Sequence, residues 1–265
     1  MTLCSRPTLD ALVTLARAAG DAILEVYNGP FDVTLKGDDS PLTLADLRSH
    51  AIIAHGLALL APNVPVISEE AAVPPLAVRA GWSRLWLVDP LDGTKEFVNR
   101  NGEFTVNIAL VEGGVPILGI LHVPLDGRTY FAASGVGAFR AQAGGQVSAI
   151  AVRKPLGSPL RVVGSRSHRG DRLGGLLEAI GPHDFRPLGS ASKFGLVAEG
   201  AADLYPRIGP TSEWDTAAGQ AIVEIAGGHV VDRDGNPLRY NQRESLLNGD
   251  FIVYADGSRP WHTLL

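Results

Sequence analysis

Over 8–27 the apolar residues Leu9, Leu12, Val13, Ala16, Ala19, Ile23 and Leu24 recur at three- and four-residue steps, and Gly29-Pro30 follows as a stop signal. That spacing predicts an amphipathic helix. A second helix is expected over about 43–60, where Leu44, Leu47, Ala51, Ile52, Leu57 and Leu60 form the buried stripe and Ala61-Pro62-Asn63 ends it. The period then shortens. Val64-Pro65-Val66-Ile67, Leu85-Trp86-Leu87-Val88, 105–111, 117–123 and 129–132 are short β-branched or aromatic runs bounded by Gly, Pro and Asp, and they predict a largely antiparallel sheet. Residues 141–159 have the Ala, Gly, Gln, Ser and Pro content of a connector. From Leu160-Arg161-Val162-Val163 onward helix and strand alternate, with helices expected at about 171–180, 191–200 and 215–226 and strands at about 203–205, 229–232 and 251–254. The change of pattern places a domain boundary near 155, dividing 1–154 from 155–265. No repeat or low-complexity tract is present.

Composition acts mainly by exclusion. The 265 residues are 45% hydrophobic and 19% charged, enough for a buried core and unlike a disordered or collagen-like polymer. Lys plus Arg number 23 against 28 Asp plus Glu, a net charge of −5 that argues against coating nucleic acid or anionic lipid. Any phosphate handled by this chain therefore needs local cations. One cysteine, Cys4, cannot form an intramolecular disulfide, so a reducing cytoplasm is the natural compartment. The most apolar stretch, 104–124, carries Glu112 and Gly113-Gly114 in its middle and reads as two strands joined by a turn, not a membrane span. Asp10 and Arg17 interrupt the leucines that a signal peptide would need.

The chemistry is concentrated in carboxylates. Trp86-Leu87-Val88-Asp89-Pro90-Leu91-Asp92-Gly93-Thr94 runs an apolar strand into two aspartates three positions apart, with a proline and a glycine forcing a sharp turn. Both carboxylates can then face one point. A hard cation such as Mg²⁺ takes oxygen ligands, and Asp89, the Leu91 carbonyl and Asp92 offer three, although Asp-Pro-x-Asp-Gly is also an ordinary turn sequence. Val66-Ile67-Ser68-Glu69-Glu70 ends a second strand in adjacent carboxylates, which either share a cation with Asp89 or are simply solvated. A third element, Glu213-Trp214-Asp215-Thr216-Ala217-Ala218-Gly219, begins its aspartate 123 positions beyond Asp92, ahead of an Ala-rich helix for which Asp215 would also serve as N-cap. Thr43-Leu44-Ala45-Asp46 has the form of a capping box. The functional alternative is that Asp46 accepts a proton from the Thr94 hydroxyl, so that the pair orients and activates a water.

Taken together these segments resemble the lithium-sensitive, Mg²⁺-dependent phosphatases related to inositol monophosphatase, whose signature combines a Glu-Glu strand end, Asp-Pro-(Ile/Leu)-Asp-Gly-Thr and a distant Trp-Asp-x-x-Ala-(Gly/Ala). All three are present in order. The chain is most similar to the CysQ-type 3′(2′),5′-bisphosphate nucleotidase branch, through Ser40-Pro41-Leu42-Thr43-Leu44-Ala45-Asp46, Ser68-Glu69-Glu70, Asp92-Gly93-Thr94-Lys95-Glu96-Phe97, Asn101-Gly102-Glu103-Phe104-Thr105-Val106-Asn107-Ile108-Ala109 and Ser165-Arg166-Ser167-His168. The likeness covers about 35–254.

The resemblance implies an α/β (α+β) fold, a layered αβαβα sandwich of the inositol monophosphatase and fructose-1,6-bisphosphatase type. It implies two or three Mg²⁺ ions held by Glu69, Asp89, the Leu91 carbonyl, Asp92 and Asp215, with Asp89 bridging two, Glu70 holding a further ion through water, and Li⁺ inhibitory. Asp46 and Thr94 become the water-activating pair, with Glu69 beside them in catalysis. Substrate contacts are implied at Glu69, Leu91, Asp92, Gly93, Thr94 and Asp215. On the nucleotide they are implied at His168, Ser190, Lys193 and Arg207, with Lys95 and Lys36 offsetting phosphate charge. The implied reaction converts adenosine 3′,5′-bisphosphate to AMP and phosphate in sulfur assimilation, with 3′-phosphoadenylyl sulfate as a related substrate. An inositol or sugar-phosphate phosphatase remains open, as does a phosphometabolite-binding sensor without turnover. The resemblance allows a monomer or homodimer, and a cytoplasmic protein that is either free or peripheral at the inner membrane.

Overall fold

A computed structural model describes residues 3–35, 37, 41–166 and 171–265. The chain runs through α1 (Arg6–Tyr27), a hairpin of β1 (Val33–Leu35) and β2 (Pro41–Thr43), α2 (Leu44–Leu60), β3 (Val66–Ser68), α3 (Leu76–Arg79), β4 (Arg84–Asp92) and α4 (Thr94–Val98). A meander follows: β5 (Thr105–Glu112), β6 (Val115–Val123), β7 (Arg128–Ala133), β8 (Gly137–Ala141) and β9 (Val147–Ala149). The remainder comprises β10 (Leu160–Ser165), α5 (Asp171–Ile180), β11 (His183–Leu188), α6 (Ser192–Ala198), β12 (Leu204–Arg207), β13 (Thr211–Ser212), α7 (Glu213–Ile225), β14 (His229–Asp232), β15 (Leu247–Asn248), β16 (Phe251–Tyr254) and a 3₁₀ turn (Trp261–Leu264).

Strands β3 to β9 form one seven-stranded sheet in sequence order, antiparallel except for the parallel β3–β4 pair. A second sheet has the order β11-β10-β12-β16-β14. Strand alternation distributes the apolar side chains among three slabs of core. In β4, Trp86 and Val88 pack with Leu9, Leu12 and Ile23 of α1 and Leu57 of α2. Their neighbours Leu85 and Leu87 face the other way, toward Phe194 of α6 and Ala217, Ala218 and Ile222 of α7. The second sheet repeats the alternation: Val163, Tyr205 and Val253 join that central slab, while Val162, Leu204 and Ile252 face Leu176 and Ile180 of α5 and Trp261. The layers are therefore αβαβα. Continuous apolar runs such as Leu85-Trp86-Leu87-Val88 arise because both sheets are covered on both faces.

Several segments depart from the expected pattern. Strands β1, β2, β8, β13 and β15, helices α3 and α4 and the 3₁₀ turn are short elements where none is expected. In α2 the expected stripe is not the buried one: Leu44, Leu47 and Ala51 are exposed, and Ala45, Asp46, Ser49, Ile53 and Leu57 are buried, because the helix turns Asp46 and Ser49 inward. Two further strands also escape the sequence pattern. The stretch expected as a connector contains β9, whose three residues are all exposed and which pairs with β8. Strand β11, at the edge of the second sheet, reads His-Asp-Phe-Arg-Pro-Leu, where charge and Pro187 mask the strand pattern. Edge strands tolerate such residues because one side needs no ladder partner.

Helix α7 lies directly on the first sheet, and Gly119 of β6 makes that approach possible. A Cβ at this position would stand 2.3 Å from the Ala218 carbonyl oxygen, a backbone atom of α7. Gly119→Ala is expected to destabilise the fold by about 3 kcal/mol or more, since the helix itself must move. Chemical denaturation checks this, and a loss under about 1 kcal/mol would mean the layers are more compliant than their spacing indicates.

On the opposite face, Gly20 of α1 leaves room for the His122 ring, which would lie 2.6 Å from any Cβ there. His122 Nδ1 lies 3.1 Å from the Arg128 carbonyl and 2.9 Å from Thr129 Oγ1, and burial pushes its pKa down to about 4. Between that value and the ordinary 6.5, the unfolded chain takes up a proton that the folded chain excludes. Stability from this group is thus present above pH 6.5 and lost as pH falls toward 4, by about 3 kcal/mol in all. Urea unfolding of the wild type and His122→Gln at pH 7 and pH 4.5 should show the variant losing less on acidification, whereas identical pH dependence would exclude the effect.

Candidate active site

Asp89 and Asp92 stand three residues apart, so in a regular strand their side chains would point to opposite faces. The pairing of β4 with β5 corrects this. Asp89 lies opposite Asn107 and Asp92 opposite Thr105, so three steps on β4 match two on β5. The extra residue is a bulge at Asp-Pro-Leu-Asp, and it restores the parity that brings both carboxylates to one side. Asp89 Oδ1 accepts the Leu91 N–H at 3.0 Å, while Asp92 Oδ2 accepts from Thr105 Oγ1 at 3.3 Å, from Asn107 Nδ2 at 3.5 Å and from the Ala191 amide.

Helix α2 fixes this turn from one side. Its residues 46, 49 and 50 share a face. Ser49 Oγ donates to the Pro90 carbonyl at 2.7 Å, and His50 Nδ1 lies 2.9 Å from Ser68 Oγ, just ahead of Glu69. Asp46 serves both roles read from the sequence. Its Oδ2 accepts from the Thr43 N–H at 2.8 Å and the Thr43 hydroxyl at 2.7 Å, completing a capping box, and its Oδ1 lies 3.3 Å from Thr94 Oγ1. Thr94 Oγ1 is also 3.3 Å from the Leu91 carbonyl. Its single proton goes preferentially to the carboxylate, the stronger acceptor.

Asp215 is the third residue of α7, not its N-cap. Ser212 is the cap, and Asp215 Oδ2 reaches back to accept the Ser212 N–H at 2.9 Å. That arrangement aims the carboxylate at the bulge of the first sheet. Asp89, 1% exposed, has its pKa raised well above the ordinary value by burial and by the charges of Glu69, Asp92 and Asp215. Asp215 is likewise pushed up by burial, Asp92 and Glu69; Asp92 is raised by burial, against the opposing charge of Lys193. Four carboxylates from three separate stretches of chain therefore feel one another strongly.

Beside this cluster is a cavity of roughly 130 Å³ lined by Asp92, Gly93 and Lys95 on one wall and by Ser190, Lys193, Arg207 and Asp215 on the other. Glu69, Asp89, Asp46 and Thr94 are not among its lining residues. Ser190 holds a left-handed backbone (φ 50°), a conformation that costs a non-glycine residue and recurs at ligand-binding turns. Lys193 is 3% exposed and donates to the carbonyls of Leu188, at 3.1 Å, and Ser190; burial brings its pKa down to about 8. Arg207 Nη2 donates to the Pro210 carbonyl at 2.9 Å, but among the described residues its buried Nε has no partner, and neither has the Thr211 hydroxyl. His168 and Lys36 lie outside the described residues. Lys95 is exposed at the rim, and Glu70 is half-buried beside Glu69.

The donor set fits a hard divalent cation. Its atoms are carboxylate and carbonyl oxygens, its carboxylates repel one another in the absence of positive charge, and the fully buried Asn107 Oδ1 beside them has no partner among the described residues. Among the described residues no three carboxylate, imidazole or thiol groups close tightly enough to enclose an ion by themselves.

The model of the inositol monophosphatase family matches residues 5–258. The chain belongs to that family. It is 52% identical over 249 residues to the 3′(2′),5′-bisphosphate nucleotidase CysQ of Escherichia coli (strain K12), covering 92% of this chain and 98% of that protein. The corresponding protein of Buchnera aphidicola subsp. Acyrthosiphon pisum is 43% identical, covering 94% of each chain. Among solved structures, CysQ from Bacteroides thetaiotaomicron, described as a bacterial member of the inositol monophosphatase family, superposes with a TM-score of 0.80 at 42% identity, covering 96% of this chain and 99% of that one. The αβαβα sandwich is thus the fold of this family.

Residues given no role from the sequence also shape the family site. Thr105, Asn107 and the Ala191 amide hold Asp92, and Ser49 holds the Asp-Pro turn. Thr105 and Asn107 sit inside the Asn101–Ala109 motif at strand parity with one another, a signal that they share a face with whatever β4 presents there.

Proposed function

We propose that this chain is a Mg²⁺-dependent 3′(2′),5′-bisphosphate nucleotidase that hydrolyses adenosine 3′,5′-bisphosphate to AMP and phosphate in sulfur assimilation, with 3′-phosphoadenylyl sulfate as a related substrate. The observation that carries the reaction class is the convergence of Glu69, Asp89, Asp92 and Asp215 beside a pocket that also holds Lys193 and Arg207. The nucleotide assignment rests on the near full-length likeness to the bisphosphate nucleotidases.

Glu69, Asp89, the Leu91 carbonyl, Asp92 and Asp215 would hold the metal, and Glu70 an outer ion through water. When bound, Mg²⁺ supplies the positive charge that a phosphate dianion needs, acidifies water and stabilises the leaving oxygen. Thr94, its own proton directed to Asp46, presents an oxygen that accepts a hydrogen bond from the attacking water and aligns it. The water oxygen bonds to phosphorus and the bond from phosphorus to the ribose 3′ oxygen breaks; of the two protons of the attacking water, one ends on that ribose oxygen, giving the 3′ hydroxyl, and the other stays with the released phosphate. Amides of the Gly93-Thr94 turn meet the equatorial oxygens, because glycine lets backbone approach an anion. Ser190, Lys193 and Arg207, with His168, receive the nucleotide. Arg207 Nε and the Thr211 hydroxyl, without partners among the described residues, are donors suited to its second phosphate.

The chain would divide near 155, with the Glu-Glu and Asp-Pro-Leu-Asp-Gly-Thr motifs before it and Asp215 after it. The cytoplasm is the compartment that suits a chain with a single cysteine. Among the described residues no helix is long and apolar enough to cross a membrane.

Steady-state turnover of adenosine 3′,5′-bisphosphate and inositol 1-phosphate, with and without Mg²⁺, tests the proposal. Preferential Mg²⁺-dependent release from the nucleotide is expected. A preference for the inositol ester would overturn the substrate, and nucleotide binding without phosphate release would overturn the reaction.

A further inference from the structure

Glu103 occupies a junction between the two walls of the pocket. Its backbone carbonyl lies so close under Gly93 and Gly189 that a Cβ at either glycine would come within 2.9 Å and 3.0 Å of it. Its side chain turns toward the second wall. Oε2 accepts the Gly189 N–H at 2.7 Å and Arg166 Nε at 2.9 Å, and Oε1 accepts Arg166 Nη2 at 2.5 Å. Arg166 also reaches the Pro187 carbonyl at 3.4 Å. Burial raises the Glu103 pKa, but the guanidinium fork and the Gly189 amide outweigh it and leave the carboxyl below its ordinary range. One carboxylate therefore ties Gly189, at the start of the Gly189-Ser190-Ala191-Ser192-Lys193 turn, and Arg166 to the loop between α4 and β5.

We propose that Glu103 is a positioning residue for nucleotide specificity, setting the Ser190–Lys193 turn and Arg166 in register with the Asp92-Gly93-Thr94 turn. This rests on the nucleotidase reading given above. The division of labour within the residue makes it testable. Truncating the side chain leaves the carbonyl beneath Gly93 in place, so the phosphate turn keeps its support while the nucleotide wall loses its tether.

In Glu103→Ala the KM for adenosine 3′,5′-bisphosphate should rise about tenfold or more with kcat within about twofold. The inhibition constant of AMP should rise in parallel, while that of inorganic phosphate stays within about twofold. Glu103→Gln, which keeps an acceptor for Gly189 but loses the charge, should fall between. Arg166→Met, an exposed change that serves even if Glu103→Ala fails to fold, should raise KM in the same direction, and combining it with Glu103→Gln should add little. A common fall in kcat and in phosphate affinity would overturn the proposal in favour of a purely structural role, and unchanged KM and AMP inhibition would overturn it outright. Failure of the nucleotidase reading is separable, because the wild type would then show no turnover of adenosine 3′,5′-bisphosphate.

Discussion

Replacing Asp89 by Asn abolishes turnover and makes the metal-free protein more stable. The two effects have one cause. Asp89 is 1% exposed and surrounded by Glu69, Asp92 and Asp215, so without a cation its negative charge is both desolvated and repelled. An amide of the same shape removes that cost and still offers an oxygen to the Leu91 N–H. Metal-free stability should rise by about 1–3 kcal/mol, in line with the gain from neutralising poorly compensated buried charge. The rate should fall by about a thousandfold or more, because the site loses a carboxylate that organises positive charge at the reacting phosphate. Phosphate-release kinetics and denaturation in chelator measure the two effects. A variant that is inactive and also less stable would mean that Asp89 serves the fold instead.

Thr94→Ala should lower kcat by roughly a hundredfold or more while stability changes little, since the lost hydroxyl's hydrogen bonds to Asp46 and the Leu91 carbonyl are both long, at 3.3 Å. Thr94→Ser keeps the oxygen and should retain most of the rate. Asp46→Asn should match Thr94→Ala in rate but also lose about 1 kcal/mol of stability, because Asp46 caps α2 through Thr43. If the two act as a unit, the double variant is no slower than the poorer single variant. Additive losses in kcat would show that Thr94 and Asp46 act separately, and a Thr94→Ala enzyme with normal kcat would remove Thr94 from the chemistry.

What the sequence disclosed depended on whether a signal was local. Helix α1 was legible because it buries one apolar stripe against one sheet face, and the 3.6-residue period records that. Helix α2 was legible as a helix, but its buried face is Ala45, Asp46, Ser49, Ile53 and Leu57, and the polar residues that turn toward the active site hid that face from an apolar count. Strand β4 was legible as an apolar run because both its faces are covered. Strands β9 and β11 escaped because edge strands need not alternate cleanly, and their stability comes from a neighbouring strand. The acidic motifs were visible as residue types, and Asp46 was readable as both a cap and a partner of Thr94. The bulge that turns Asp89 and Asp92 to one side was not, since it is defined only against β5. Likewise nothing near Glu103 in the chain announces its link to Gly189, which lies 86 positions away.

Carboxylates from remote stretches serve one cation cluster, and removing the most remote of them, Asp215, tests whether they do. Calorimetric titration of Mg²⁺ into the wild type and Asp215→Asn should show affinity lowered by about tenfold or more in the variant, although Glu69, Asp89 and Asp92 are intact. Mg²⁺ binding that is unaffected by the loss of Asp215 would contradict the account.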